Sequence, residues 1–363
     1  PQVYLRRFFS GQGTAGKHVF LIDEAHNLVD RAREMYSAGL RKADILEVHR
    51  ALDKKDKLRK SISRVNTAMV SMRKECEGER FVARREPYTE FTRILSVFSA
   101  DCEEWLATHS HAPQEEQVLN LYFSVLAFLR IAEMYDERFI TLLYIHGADV
   151  VLKLFCLDPA RCLDSCLKKG KAAVLFSATL TPLEYFSAVL GGTEESKRLM
   201  LPSPFPRDNL CLLITDNIST KYKNRDSSLL PLAHLIAQAA AGRPGNYMVY
   251  FPSYAYMNEV YRVFCENYPD FPTLLQHGGM DEEEREAFLA EFDAQREDTL
   301  IGFCVLGGIF SEGIDLKGDR LIGAVIVGVG LPQIGPEQDV IRDYYDGKNH
   351  MGFAYAYRYP GMN

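Results

Sequence analysis

The chain has 363 residues, of which 47% are hydrophobic and 25% charged, a composition typical of a soluble globular protein large enough for two or three domains. Its formal net charge of −7 argues against a general nucleic-acid coat protein. The sequence has no apolar run of the length, about 18 residues, that a membrane-spanning helix needs, and its eight cysteines lack regular spacing, which favours a reducing cytoplasm.

Charged residues are unevenly distributed along the chain. Residues 41–85 hold 14 Lys and Arg against 7 Asp and Glu, whereas residues 281–298 hold 9 acids against 2 bases. A segment of one sign can form a local phosphate-binding face, but it can equally be the solvated face of a helix. Both interpretations of the basic segment remain open at this point.

The first motif-like stretch is GQGTAGKH, residues 11–18, which matches the phosphate-binding loop G-x-x-x-x-G-K-[ST] except for His18. A phosphate loop follows a strand and opens a helix, but here Lys17 is followed at once by the strand-like residues 18–22. Only five residues separate Lys17 from Asp23, whereas parallel neighbours in a sheet need a crossover of about a dozen. The sequence therefore predicts a glycine-rich turn that leads into a buried strand.

A mostly helical module is predicted after this strand. The DEAHN turn at residues 23–27 precedes a helix that begins near Leu28. Polar, helix-favouring composition and apolar residues at helical spacing then predict helical tracts without strands, namely residues 41–80 with a break near Glu77, Pro87–Thr108, and Glu115 to about Ile145. Successive helical tracts of this kind indicate a module inserted between parts of an α/β domain.

The α/β pattern returns at the apolar run Ala172–Phe176, which is followed by SATLTP at residues 177–182. LPSPFPRDNL, residues 201–210, is rich in proline and typical of an extended linker. Beyond it strands and helices alternate, which predicts a parallel sheet with helices on both faces. The predicted strands are Tyr247–Phe251, Thr273–Gln276, Thr299–Val305 and Leu321–Val329, and the predicted helices are Tyr256–Tyr268 and Asp281–Phe292.

Polar residues at two strand ends carry the strongest chemical signal. Asp23 and Glu24 end a buried strand, the place where open α/β sheets bind ligands. An aspartate there can hold Mg²⁺ through water, and a glutamate can polarise the water that attacks a γ-phosphate. His26 can hydrogen-bond across to another segment. Ser177 and Thr179, which carry hydroxyl groups, follow a second strand. Serine and threonine are also common at the N-terminal cap of a helix, so capping is an alternative role for them.

A glycine-rich loop, GGIFSEGIDL at residues 307–316, follows a later strand. Within it Gly313 permits close approach of the backbone to a ligand, and Asp315 can accept a hydrogen bond from a ribose hydroxyl or an arginine. Clustered cysteines elsewhere lack both a fourth ligand and tight C-x-x-C pairs, which favours packing over a metal site. These cysteines are Cys156, Cys162 and Cys166.

Together these segments resemble the superfamily 2 helicases, and within them the XPD/DinG-like branch. DEAHN (23–27), SATLTP (177–182), GNYMVYFPSY (245–254) and FSEGIDLKGDRLIGAVIVGVGLP (310–332) resemble the second to fifth helicase motifs in the order of the family. LPSPFPRDN (201–209) and YAYRYPGMN (355–363) are typical of bacterial DinG-type members. The resemblance covers essentially the whole chain. It implies an α/β fold with two RecA-like parallel-sheet motor domains, the first one partial, and an inserted, mostly helical arch domain.

The resemblance also implies a domain order and a function. The implied domains are part of motor domain 1 (residues 1–40), the arch (41–150), the return to motor domain 1 (151–200) and motor domain 2 (201–363). The implied function is that of an ATP-dependent DNA helicase acting on single-stranded DNA in repair or replication, with ATP and Mg²⁺. A monomer in the cytoplasm, without a membrane partner, is expected.

Residue roles are implied by the same motif positions. The catalytic candidates are Asp23, Glu24 and His26, with Asp23 as the Mg²⁺ ligand. The coupling candidates are Ser177, Ala178 and Thr179. The nucleotide-binding candidates are Asp23, Glu24, Gly313 and Asp315. The DNA-binding candidates are Ser253, Tyr254 and Ser311, together with the Arg and Lys residues of the arch.

Some elements of the family pattern are not found in this sequence. In the family a lysine-bearing phosphate loop and four iron–sulfur cysteines precede DEAH, and a sixth motif with an arginine finger follows YPGMN. We therefore expect no ATP hydrolysis from these 363 residues alone, and a 4Fe–4S cluster only in an intact protein that supplies those cysteines. The alternatives left open are a non-catalytic DNA-binding or interaction module, an RNA helicase and a helicase–nuclease.

Overall fold

The structure is a computed structural model that describes residues 18–76, 78–311 and 313–362. The described residues divide into two compact units. Unit 1 comprises those up to Leu199 together with those from Pro332 onward, and unit 2 comprises those of Met200–Leu331. The phosphate-loop-like stretch up to Lys17 and the predicted helix break at Glu77 lie outside the described residues.

Strands and helices alternate through most of the described chain. The strands, numbered in chain order, are β1 (Val19–Ile22), β2 (Ala38–Arg41), β3 (Phe81–Arg84), β4 (Phe139–His146), β5 (Asp149–Cys156), β6 (Ala172–Leu175), β7 (Asn246–Phe251), β8 (Thr273–Leu275), β9 (Leu300–Val305) and β10 (Gly323–Ile326). The helices are α1 (Leu28–Met35), α2 (Lys42–Ala51), α3 (Leu58–Glu75), α4 (Thr89–Thr108), α5 (Glu115–Glu133), α6 (Ala160–Leu167), α7 (Leu183–Val189), α8 (Arg225–Ala241), α9 (Tyr254–Asn267), α10 (Glu282–Ala290) and α11 (Pro336–Asn349). Parallel strand pairing in both units confirms the predicted α/β class.

A parallel pair of strands, β1 and β6, positions the DEAHN and SATLTP segments in unit 1. Val19 pairs with Ala172 and Ile22 with Leu175. The ladder continues past the strand ends, because the backbone N–H of Phe176 donates to the carbonyl of Ile22 at 3.0 Å. Both strands therefore end at the same edge, and both segments leave from it.

The region predicted to be a helical insertion also contains an antiparallel sheet with the strand order β2-β5-β4-β3. The prediction of a helix from Glu115 to about Ile145 is wrong beyond Glu133, where α5 ends. Residues 139–146 form β4 instead, and each of them pairs with a residue of β5. Gly147, with a φ of 63°, lies in the tight turn between the two strands. The run 139–145 is mostly apolar and does not alternate between apolar and polar residues, so its periodicity does not distinguish a strand from a helix.

Three long helices, α3, α4 and α5, pack against this sheet, in agreement with the helical tracts predicted there. Their buried side chains belong to one continuous core with the inner residues of β4 and β5. Representative members of this core are Ile62, Val65, Met69, Phe91, Leu95, Phe98, Val125, Phe128, Leu142 and Leu152. None of the described helices combines the length and the apolar character that crossing a bilayer would require.

The segment from Pro332 onward packs in unit 1. Glu337, at the start of α11, accepts hydrogen bonds from the Tyr144 hydroxyl at 2.7 Å and the Lys153 ammonium at 2.6 Å. Near the other end of α11, the Lys348 ammonium binds the Asp158 carboxylate at 2.6 Å. The predicted second motor domain, residues 201–363, thus extends over unit 2 and over this segment of unit 1.

Unit 2 is built on a parallel sheet with the strand order β10-β7-β9-β8. Side chains of β7 alternate between its faces: Val249 and Phe251 face α8 and α9, whereas Met248 and Tyr250 pack with Phe288 of α10. Helices therefore cover both faces, as the alternating pattern of the sequence predicts. The predicted strand and helix positions of this unit agree with the structure to within a few residues.

Candidate functional site

The DEAHN and SATLTP segments lie side by side at the carboxyl edge of the β1–β6 pair. The backbone N–H of Ala25 donates to the carbonyl of Phe176 at 3.1 Å, which holds the two segments together. Ala25 is fully buried, whereas Asp23 and Glu24 before it are exposed. The structure thus places an exposed pair of carboxylates on a fixed turn.

Ser177 is the centre of a hydrogen-bond network across this edge. Its Oγ lies 2.8 Å from His26 Nδ1 and donates to Glu24 Oε2 at 3.1 Å. His26 Nδ1 also lies 3.2 Å from Glu24 Oε2 and 3.3 Å from Thr179 Oγ1. One consistent proton arrangement has His26 Nδ1–H donating to Ser177 and the Ser177 hydroxyl donating to Glu24. Of the coupling candidates, Ser177 and Thr179 join this network, and the exposed Ala178 lies between them.

Glu24 adopts a left-handed backbone conformation, with φ of 47° and ψ of 45°. This conformation is unfavourable by about 1–2 kcal/mol for a residue with a side chain. A non-glycine residue in such a conformation often marks a functional site, where the surrounding structure stabilises a strained turn. Here the turn places the Glu24 carboxylate against His26 and Ser177 while 59% of that side chain stays exposed.

Asp23 fits the role of a Mg²⁺ ligand by its chemistry. Its carboxylate is exposed, and Oδ1 accepts a hydrogen bond from the backbone N–H of Glu24 at 2.8 Å. Among residues 18–76, 78–311 and 313–362, no group of three or more His, Cys, Asp or Glu is arranged to hold a metal ion. Such a dedicated cage is not needed for Mg²⁺, which is usually held by one or two carboxylates together with water and substrate phosphates.

The DNA-binding candidates of unit 2 lie at the carboxyl edge of its sheet and are linked through Gln276. The Gln276 side chain donates to the Tyr254 hydroxyl at 3.0 Å and accepts from the backbone N–H of Val305 at 2.9 Å. Ser311 donates to the carbonyl of the same Val305 at 3.1 Å. Ser253 caps α9, because its Oγ accepts from the backbone N–H of Tyr256. Tyr254 is 39% exposed, so its ring is accessible from solvent.

Gly313 and Asp315 lie in the loop that follows this edge. Gly313 has a φ of 69°, and its carbonyl accepts from the Arg285 guanidinium at 2.9 Å. Asp315 is exposed, and its carboxylate lies 3.0 Å from the Lys317 ammonium. Arg285 also donates to the carbonyl of Ile309, so it fixes the loop from both sides. Gly313 and Asp315 therefore lie close together in one loop, which Arg285 holds in place by its hydrogen bonds.

Several residues of this edge belong to none of the motifs in the sequence. Gln276 is 1% exposed and connects two strand ends, but a lone glutamine after a strand gives no recognisable signal. Arg285 lies in a helix dominated by acidic residues, so the sequence gives no reason to single it out as a contact of the loop. The segment Lys221–Arg225 contacts Ser253 through Arg225, and its sequence combines an aromatic residue with basic ones, the residue types that single-strand-binding surfaces use.

The clustered cysteines lie at the end of β5 and in α6. Cys156 and Cys162 are buried, and Cys166 is half-buried. Burial raises the pKa of the Cys156 thiol and that of the Cys162 thiol. Since metals bind the thiolate, the raised pKa values favour a packing role for both side chains.

A pocket of about 600 Å³ also occurs in unit 1, lined mainly by charged side chains such as Arg85, Arg161 and Lys348. Its lining includes none of the DEAHN or SATLTP residues. Lys348 is paired with Asp158 there, and Arg138, also in the lining, is paired with Asp136. The pocket is therefore separate from the predicted site.

Comparisons with known proteins concern the family and the fold of the chain. Residues 236–363 match the family described as the helicase C-terminal domain. The chain is 21% identical over 87% of its length to the ATP-dependent DNA helicase CHL1 of Debaryomyces hansenii, and 24% identical over 87% to that of Coccidioides immitis. These alignments cover 44% and 43% of the two relatives, so the chain spans less than half of their length.

Solved structures show the same fold. A structure titled as apo XPD is similar over 94% of this chain and 67% of its own, with a TM-score of 0.50 and 19% identity. The structure of S. tokodaii Xpd4 is similar over 93% of this chain and 65% of its own, with a TM-score of 0.51 and 14% identity. At these identities the similarity concerns the fold.

Proposed function

Because the chain has the fold and the carboxyl-terminal domain of an XPD-like superfamily 2 helicase, we propose that it belongs to an ATP-driven motor that moves along single-stranded DNA and unwinds duplexes. The names of the curated relatives support DNA as the substrate. The bacterial DinG subtype and a role in repair or replication stay predictions from the sequence.

One observation carries the proposal: the hydrogen-bonded bridge at the β1–β6 edge. Glu24 and His26 follow one strand, Ser177 and Thr179 follow the other, and all four side chains meet around Ser177 Oγ and His26 Nδ1. A motor needs its hydrolytic residues connected to a second segment that responds to them. This bridge is such a connection, and it supports the predicted coupling role of Ser177 and Thr179.

In the proposed mechanism Glu24 orients the water that attacks the γ-phosphate and accepts its proton. Glu24 Oε2 is occupied by Ser177 and His26, so the proton transfer falls to Oε1. The Ser177 and His26 contacts restrict the carboxylate to one orientation, which is the main requirement for positioning a water molecule. Asp23 would hold Mg²⁺, which supplies charge neutralisation on the phosphates when bound.

For unit 2, we propose that the edge formed by Ser253, Tyr254 and Ser311 contacts the DNA strand, and that Gly313 and Asp315 contact the nucleotide. Exposed aromatic rings and hydroxyl groups at one sheet edge suit a strand that is bound without regard to its base sequence. The Gln276 link gives this edge a fixed shape, because it ties Tyr254 to the strand that precedes Ser311.

The test is ATP hydrolysis by the full-length protein with different nucleic acids as activators. We expect single-stranded DNA to stimulate hydrolysis strongly, and fully paired DNA or single-stranded RNA to stimulate it weakly. Stimulation by RNA equal to or above that by DNA would favour the RNA helicase alternative. If no nucleic acid stimulates hydrolysis, the motor proposal is wrong.

A further inference from the structure

Tyr222 is an exposed aromatic residue that the fold of unit 2 does not require. It begins the short 3-10 turn Tyr222–Asn224 before α8, and 86% of its surface is accessible to solvent. Lys221 and Lys223, on either side of it, are exposed as well. A tyrosine this exposed contributes little to a core, so another use for its ring is expected.

The ring of Tyr222 rests on a positioned cation. The Arg225 guanidinium carbon lies 5.3 Å from the centroid of the Tyr222 ring and 4.7 Å from that of the buried Tyr256 ring. Arg225 also donates to Ser253 Oγ at 3.4 Å. Cation–π contact and this hydrogen bond restrict the guanidinium, and the guanidinium in turn restricts the exposed ring. The aromatic surface is therefore held in place before any ligand binds.

Two contacts place this segment at the carboxyl edge of the unit 2 sheet. Arg225 donates a hydrogen bond to Ser253, and one proline separates Ser253 from the end of β7. Thr220 lies against Gly328 beyond the end of β10, where a Cβ on the glycine would come within 2.9 Å of Thr220 Oγ1. The ring of Tyr222 thus belongs to the same edge as Tyr254 and Ser311.

We propose that Tyr222 stacks on a base of single-stranded nucleic acid and that Lys221 and Lys223 contact the phosphates on either side of that base. Stacking suits a ligand of any sequence, because every base has a π-face. An aromatic residue flanked by two ammonium groups matches the alternation of base and phosphate along a single strand. The assignment rests on the proposed function, because it adds a contact to the DNA-binding edge of unit 2.

The experiment measures binding of the 363-residue chain to fluorescein-labelled oligothymidine by fluorescence anisotropy, without nucleotide and at several salt concentrations. Tyr222→Ala is expected to weaken binding about 5- to 30-fold, which corresponds to about 1–2 kcal/mol. The slope of log affinity against log salt should stay unchanged in this variant, since no charge is removed. Lys221→Ala and Lys223→Ala should each reduce that slope by about 0.7.

Two further variants separate stacking from other causes. Tyr222→Phe keeps the ring without the hydroxyl and should bind as the wild type does. Leu230→Ala removes a side chain of α8 that is 55% exposed and should leave affinity unchanged. Wild-type affinity in Tyr222→Ala, or equal losses in Tyr222→Phe and Tyr222→Ala, would overturn the stacking role alone. Absence of binding by the wild type would instead count against the proposed function, and the stacking role would fall with it.

Discussion

The left-handed turn at Glu24 leads to a prediction that separates stability from catalysis. Glu24→Gly and Glu24→Ala both remove the carboxylate that contacts His26 and Ser177. Only glycine adopts the φ of 47° at that position without steric cost. We therefore expect the glycine variant to be the more stable of the two, although both should have lost ATP hydrolysis.

Two opposing effects determine the difference in free energy of unfolding between the two variants. Relief of the left-handed conformation is worth about 1–2 kcal/mol, and the greater freedom of glycine in the unfolded chain offsets about 0.4–1 kcal/mol of it. The glycine variant should thus exceed the alanine variant by about 1 kcal/mol in free energy of unfolding. Against the wild type both variants also lose the contacts of a carboxylate that is 59% exposed, each worth at most about 1 kcal/mol.

The assay is urea denaturation of the two variants side by side, followed by circular dichroism. A higher midpoint for Glu24→Gly at an unchanged slope is the expected result. A midpoint for Glu24→Gly at or below that of Glu24→Ala would refute the left-handed turn. Hydrolysis of ATP retained by either variant in the full-length protein would refute the catalytic role of the carboxylate.

Two further predictions concern the hydrogen-bonded bridge at the β1–β6 edge and the antiparallel sheet β2-β5-β4-β3. Ser177→Ala removes contacts with both His26 and Glu24 and is expected to lower DNA-stimulated hydrolysis about 5- to 150-fold, if each of the two bonds contributes about 0.5–1.5 kcal/mol. Because His26 belongs to the same network, the losses from Ser177→Ala and His26→Ala should be less than additive in the double variant. Ser165→Ala, on the exposed side of α6, is the matched control, and strictly additive losses would argue against a shared network. Burial of Asp149 would raise the pKa of its carboxyl, but the Arg41 hydrogen bond at 2.6 Å and bonds from two backbone N–H groups outweigh this and lower the pKa. The ionised Asp149 carboxylate therefore stabilises the fold fully above the pKa of an unfolded aspartate, about 3.9, and this stabilisation is lost as the pH falls through the lower pKa of the folded state. Acid unfolding of Asp149→Asn, followed by circular dichroism, should show a flatter dependence on pH than that of the wild type. Asp270→Asn, at an exposed position of unit 2, is the matched control and should unfold as the wild type does, and a wild-type curve for Asp149→Asn would contradict the prediction.

The local parts of the fold were predictable because local chemistry decides them. The run Val19–Ile22 is apolar and ends in two acids, and the strand and its turn lie where that pattern predicts them. The predicted burial of this strand is wrong, because the side chains of Val19 and Leu21 are exposed. The strands of unit 2 were predicted for the same reason, since short apolar runs there are bounded by glycine, proline and polar residues. Prediction of the strand ends also indicated which polar residues would share an edge.

Features that depend on distant partners were not predictable in the same way. Strand β4 has the composition of a buried segment, and only its pairing with β5 distinguishes it from the end of a helix. The packing of α11 in unit 1 depends on Tyr144 and Lys153, which lie far from Glu337 along the chain. Gln276 became visible as a link only when the neighbouring strand ends were known.

The central claim, ATP hydrolysis driven by the DEAHN turn and stimulated by single-stranded DNA, is tested most directly by Glu24→Gln in the full-length protein. The substitution keeps the size of the side chain and one hydrogen-bonding oxygen but removes the base. Wild-type hydrolysis should rise on addition of single-stranded DNA, whereas the variant should bind ATP and DNA normally and hydrolyse ATP at least about 100-fold more slowly. Unchanged DNA-stimulated hydrolysis in the variant would contradict the account.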